Sequence, residues 1–106
     1  MLSIIKKILG LGSKTNYRAL LEQGAQIIDV RTKSEYQSGH IRGSVNIPLQ
    51  VLQQNFSKIN REKPVITCCA SGMRSASAKS LLQASGYQEV YNGGGWMGLQ
   101  HEIEKP

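Results

Sequence analysis

Residues 65–75 read Val-Ile-Thr-Cys-Cys-Ala-Ser-Gly-Met-Arg-Ser. A β-branched run, a thiol, a short loop holding one glycine and then a helix-forming stretch follow one another without a gap. Val65, Ile66 and Thr67 favour a strand, and Pro64 ahead of them ends whatever precedes. Ser75 to Ser85 reads as a helix stopped by Gly86. The chain therefore turns from strand to helix within a few residues, as it does at the carboxyl end of a strand in a parallel α/β sheet, where ligands bind.

Outward from this loop the same alternation continues. Upstream, Tyr17, Leu20 and Leu21 mark one helix face that Gly24 ends, and Gln26 to Val30 is a short buried strand. A polar helical turn at Lys33 to Gln37 stops at Gly39, and Val45 to Ile47 forms a second strand closed by Pro48. Val51, Leu52, Phe56 and Ile59 are spaced for the buried face of another helix. Downstream, Glu89 to Asn92 supplies one more strand before Gly93 to Gly95 and a terminal helical stub. Four short strands with helices between them predict an α/β fold: a central, mostly parallel sheet of four to five short strands with helices on both faces.

Composition agrees with one compact unit. The chain has 106 residues, 40% apolar and 19% charged, enough to bury about two thirds of its unfolded surface in a single domain. Its two cysteines are adjacent, Cys68 and Cys69, so they staple no distant segments, and with no His at ligand spacing they complete no zinc site. Free thiols point to a reducing compartment, and the expected location is cytoplasmic. The formal charge of +6 is scattered rather than clustered and lacks interleaved aromatics, which argues against a nucleic-acid partner and suits small anionic substrates.

Three regions are expected: residues 1–13 as an amphipathic arm, 14–100 as the domain, and 101–106 as a short solvated tail. On a helical wheel Ser3, Lys6, Lys7 and Gly10 share one polar arc. The lysines interrupt the apolar run that a secretory signal needs, and no stretch approaches the roughly 20 residues of a membrane span. The arm is read as docking on its own domain or on a second copy, giving a homo-oligomer, with membrane-surface contact by residues 1–12 as the alternative.

The chemistry concentrates in the loop. A helix starting near Ser75 aims its free N–H groups and positive dipole end back at the loop, which favours an anion there. With Arg74, the same field lowers a thiol's pKa and suits a thiolate nucleophile attacking an anionic substrate. Two registers compete. From Cys69 the spacing is Cys-x-x-x-x-Arg, a six-residue cradle sized for a sulfur atom; from Cys68 it is Cys-x-x-x-x-x-Arg, the spacing of cysteine phosphatases. If the strand runs through Cys68, that residue is its last buried one and Cys69 opens the loop. A phosphatase would also favour a His before its Cys, where this chain has Thr67.

Taken together, several motifs in order resemble the single-domain rhodanese-like sulfurtransferases over about Tyr17 to Leu99. They are Ile28-Asp29-Val30-Arg31 with Glu35-Tyr36, Gly39-His40-Ile41-x-Gly43-Ser44-x-Asn46-Ile47-Pro48, the loop Cys69-x-x-Gly72-x-Arg74-Ser75, and Gly86-Tyr87 followed by Val90-Tyr91-Asn92 and the glycines. The resemblance implies a parallel sheet wrapped by helices, with Cys69 as the catalytic residue and no cofactor beyond its own persulfide. It implies a sulfane sulfur passing from a small anionic donor such as thiosulfate to a thiol or cyanide acceptor. The substrate-binding loop is then Ala70, Ser71, Gly72, Met73, Arg74 and Ser75, whose backbone amides hold the anionic sulfur while Arg74 adds a full charge.

The remaining polar residues have quieter readings. Asp29, Arg31 and Glu35 are expected as ion pairs fixing a strand end beneath the loop, and His40 as a residue that shapes the loop rather than a base. Cys68 should be a small core residue, because the pleat turns neighbouring side chains to opposite faces. Trp96 is expected to fill core, and Ala70 and Met73 make an apolar lip that would admit a larger donor. No metal site is expected. The rival readings are a cysteine phosphatase-like hydrolase using Cys68, or a sulfur-carrier or anion-binding module without turnover.

Overall fold

The computed structural model describes residues 15–106; the expected amphipathic arm, residues 1–13, lies outside them. Among the described residues, Asn16 caps the first helix, its side chain accepting from Ala19 N at 3.0 Å. Helix α1 spans Tyr17–Glu22, and Gly24, at φ +94°, supplies the left-handed turn that ends it. Strand β1 is Gln26–Asp29 and helix α2 is Lys33–Gln37. A capping box starts α2: Glu35 N bonds Thr32 Oγ1 at 3.2 Å, and Thr32 N bonds Glu35 Oε1 at 2.9 Å. Strand β2, Val45–Asn46, is followed by β3, Val65–Cys69, then helix α3, Met73–Ala84, strand β4, Val90–Gly95, and helix α4, Trp96–Glu104.

All strand pairings are parallel, in the order β2-β1-β3-β4. The expected α/β architecture with a parallel central sheet is what forms, with four strands among the described residues. Alternation along the strands sorts the core into two layers. Ile28, Val30, Val65, Cys69 and Val90 pack on one face with Ala78 and Leu82 of α3 and with Leu52 and Ile59. Ile27, Ile66 and Cys68 pack on the other with Leu20 of α1 and Leu99 of α4. Burial of these apolar side chains, each contributing about 1.5–3 kcal/mol, holds helices to both faces.

Five local expectations are corrected. The segment after β2 is not one α-helix but two 3₁₀ stretches, Leu49–Val51 and Gln53–Lys58, broken at Asn55 (φ −122°). Leu52 and Ile59 are buried as expected, yet Val51 faces solvent. Strand β3 runs one residue further than expected and includes Cys69, while α3 begins two residues early at Met73. Strand β4 continues through all three glycines to Gly95. Helix α4 passes residue 100 and ends at Glu104, with Ile103 packed on the core, where a solvated tail was expected. Arg18 of α1 donates to the carbonyl of Lys105 and ties this end down.

Candidate active site

Parallel pairing brings the carboxyl ends of β1, β3 and β4 to one edge of the sheet. There Cys69 lies opposite Gly95, after a register shift between Thr67 and Cys69. Two glycines make the closeness possible. A Cβ on Gly95 would stand 2.8 Å from the Ala70 carbonyl oxygen, and one on Gly93 would stand 2.8 Å from that of Thr67. The loop over this edge turns at Gly72, whose φ of +103° suits glycine, and Gly72 is also the N-cap of α3.

Gly72 has no side chain to cap α3, and the Cys69 sulfur takes that place. It accepts from Gly72 N at 3.0 Å and from Ser75 N at 3.3 Å, the latter one of the helix's first-turn N–H groups. The thiol stands 3.4 Å from Ser75 Oγ, to which it donates. Cys69 is only 1% exposed, so the sulfur sits at the floor of the cradle. Burial pushes its pKa up, but in the thiolate form the Ser75 hydroxyl, once turned toward the sulfur, and the N–H groups of Ser75, Gly72 and Ser71 outweigh burial and leave it below the ordinary thiol value. That is the electrostatics of a nucleophilic sulfur.

Cys68 is the opposite case. It packs on the other face of the sheet, fully buried, and burial first, then the nearby Asp29 charge, push its thiol well above the ordinary range. The pleat thus separates two adjacent cysteines into a cradle sulfur and a core thiol.

Of the six loop residues expected to bind the anion, Gly72 and Ser75 donate directly to the sulfur. Ala70 and Ser71 form the exposed turn, and Met73 is 79% exposed at the lip. Arg74 is not a free charge over the loop. Its guanidinium makes a two-pronged bond to Glu35, Nη1 to Oε1 at 2.7 Å and Nη2 to Oε2 at 3.0 Å. Arg74, followed by the N–H of Thr32, holds the Glu35 carboxyl down at about 2, and Glu35 in turn raises Arg74.

Asp29 and Arg31 form a separate, buried pair: Arg31 Nη2 is 2.8 Å from Asp29 Oδ2, and Nε is 2.9 Å from Oδ1. Arg31 also donates to the carbonyls of Glu35 and Gly39, at 3.2 and 2.7 Å, so it fixes the segment that carries Glu35. Its bond to Asp29 raises its pKa against the cost of burial. Trp96, half-buried on the second core cluster, lies under Arg31 with 4.8 Å from Cζ to ring centroid. His40 is exposed, stacked on Tyr36 at 3.7 Å, and its Nδ1–H donates to the Tyr36 carbonyl at 2.7 Å. That nitrogen is occupied in shaping the turn.

One site residue escapes the sequence reading. Asn92, across from Thr67 in β4, accepts from Ser75 Oγ at 2.6 Å and from Gly94 N at 2.9 Å, and donates to Gly72 O at 3.3 Å. The resemblance motif includes it without a role; the signal for its bonding is an Asn two residues before a glycine, a local side-chain-to-backbone pattern. Among the described residues no group of three His, Cys, Asp or Glu is placed to hold a metal ion.

Comparison with known proteins fits this geometry. The Rhodanese-like domain family matches residues 13–102. YqhL of Bacillus subtilis (strain 168) is 44% identical over 68 residues, covering 64% of this chain and 54% of that protein. Thiosulfate sulfurtransferase GlpE of Pseudomonas savastanoi pv. phaseolicola is 36% identical over 75 residues, 71% of either chain. A solved structure described as rhodanese with anions from E. coli superposes with a TM-score of 0.65 at 34% identity, covering 70% of this chain and 89% of that one. The chain spans about half the length of its B. subtilis relative. With the family matched along nearly the whole described chain and its fold reproduced, this chain belongs to the Rhodanese-like domain family.

Proposed function

We propose that this chain is a sulfurtransferase that carries a sulfane sulfur on Cys69. The observation that carries the reading is the cradle itself: a buried sulfur that accepts from Gly72 N and Ser75 N at the start of α3, with a lowered pKa. In the first half-reaction the Cys69 thiolate attacks the outer sulfur of a donor such as thiosulfate. The donor's S–S bond breaks, its electron pair leaves with sulfite, and Cys69 Sγ gains a bond to the transferred sulfur. In the second, a thiol or cyanide acceptor takes that outer sulfur, and the electron pair of the broken S–S bond returns to Cys69. The loop N–H groups stabilise the anionic sulfur in both steps.

Intact-protein mass spectrometry after thiosulfate, then cyanide, tests this. Wild type and Cys68→Ser should gain one sulfur mass and lose it to cyanide, and Cys69→Ser should gain none. Equal loss of loading in both variants would overturn the assignment to Cys69. Hydrolysis of an aryl phosphate that needs Cys68 would favour the phosphatase reading instead; the far-face position and raised pKa of that thiol speak against it. The carrier reading draws on the 1% exposure of Cys69, and its mark is a persulfide that forms but is never discharged to small thiols or cyanide.

A further inference from the structure

The Ser75 hydroxyl is claimed from two sides and has one proton. Gly94 N–H is an obligate donor and faces Asn92 Oδ1 at 2.9 Å, which fixes the amide with its oxygen toward Gly94. The same oxygen lies 2.6 Å from Ser75 Oγ, so Ser75 must be the donor there. The other end of the amide is committed as well, Nδ2 donating to the Gly72 carbonyl at 3.3 Å. With its proton spent on Asn92, Ser75 can only accept from Cys69, 3.4 Å away. This is the bonding of a neutral thiol. A thiolate keeps the N–H groups of Gly72 and Ser75 but receives the hydroxyl only if that O–H rotates away from Asn92.

We propose that Asn92 is a positioning residue: its amide oxygen holds the Ser75 proton away from the Cys69 sulfur while that sulfur is a thiol, and releases it when the sulfur is anionic. The proposal rests on Cys69 being the working sulfur. No proton passes to Asn92, whose amide is too weak a base; the thiol proton goes to solvent and the hydroxyl merely turns. Once a persulfide forms, the charge moves to the outer sulfur and the inner one is neutral, so the hydroxyl returns to Asn92. Asn92 thus opposes ionisation of the empty cysteine and favours the loaded one.

Among the described residues, other charges around the sulfur are few. Helix α3 brings Arg74, which α2 neutralises through Glu35, and the end of β1 with the turn after it brings the mutually paired Asp29 and Arg31. Cys68 of β3 is on the opposite face, and β4 contributes no titratable side chain between Asn92 and Gly95. None competes for the Ser75 proton among its recorded bonds.

The test is an ultraviolet thiolate titration, each variant read as its difference from the same variant carrying Cys69→Ser. Asn92→Ala frees the hydroxyl, and the thiolate-to-thiol ratio at a fixed pH should rise about fivefold, the scale of one net hydrogen bond. In a Ser75→Ala background the same substitution should shift nothing further, a coupling that mere loosening of the loop would not produce. Asn92→Ser serves if Asn92→Ala fails to fold: it keeps an acceptor for Gly94 N–H, cannot reach Ser75, and should shift the ratio the same way. A fall in the ratio, or equal shifts with and without Ser75, overturns the proposal. The titration requires no sulfur donor, so if thiosulfate loads wild type normally while these shifts fail, the fault lies with Asn92 and not with the function.

Discussion

At Arg31 the guanidinium is spent entirely on the protein: on Asp29, on the carbonyls of Glu35 and Gly39, and on the face of Trp96. Removing one partner of a buried pair strands the other charge, which costs about 3–5 kcal/mol. Arg31→Met should therefore lower unfolding free energy by roughly 3 kcal/mol in urea titration, far more than a surface substitution. Glu35 behaves differently because its pair with Arg74 is over a third exposed and screened. Its carboxyl falls from an ordinary 4.5 to about 2 in the fold. A depressed carboxylate stabilises fully above its ordinary value, and the stabilisation drains away as pH falls through the folded one. Wild type should hold a small advantage in urea midpoint over Glu35→Gln at neutral pH, shrinking as pH falls from about 4.5 toward 2; Gln preserves the capping box, so the loss is confined to the charge and one prong of the Arg74 bond. An advantage constant with pH would contradict this. At this scale the separation of Cys69 from Cys68 was legible in part, because the pleat turns neighbouring side chains to opposite faces. The Glu35–Arg74 bond was not, since the partners are 39 positions apart, and Asn92 was hidden because its partners meet only through the loop's fold.

Elements were easiest to read where glycine or proline punctuates them. Gly24 and Gly86 end α1 and α3 within a residue or two of the expected positions. The stretch from Leu49 to Lys58 misled because its apolar spacing fits 3.6 residues per turn, yet Leu52 and Ile59 reach the core through 3₁₀ turns that leave Val51 outside. Strand β4 misled for the opposite reason: glycines normally weaken a strand, and here they are what lets one fit. Substituting alanine separates these roles. At Gly93 the new methyl would meet a backbone oxygen and two side chains at 2.8–2.9 Å, and thermal unfolding should show a loss of about 1–3 kcal/mol. At Gly98, inside α4, nothing lies within 4 Å of the new atom, and the same change should stabilise by about 0.5–1 kcal/mol through helix propensity. Equal effects at the two sites would mean the close approach of β4 is not what selects glycine.

Across the whole molecule, fold class was legible because strands and helices alternate in a chain too short for anything but single crossovers. The site was legible only where its residues are close in sequence. Thr32 and Glu35 lie on one segment, Cys69 to Ser75 on a second and Asn92 to Gly94 on a third, and parallel topology alone gathers their ends at one edge.

The strand order β2-β1-β3-β4 also has a kinetic side. Each parallel pairing closes a long loop before any contact rewards it, so a sheet of this kind assembles slowly for its size. Strand β4 occupies an edge and follows the Cys69 loop and α3 in sequence, and it carries the residue that clamps the Ser75 hydroxyl and the glycines that admit the loop. A ribosome must therefore release the chain through β4 before the cradle can close, and a chain halted short of β4 has Cys69 but not the pocket around it. Enclosure of the Cys69 sulfur is postponed until β4 is in place.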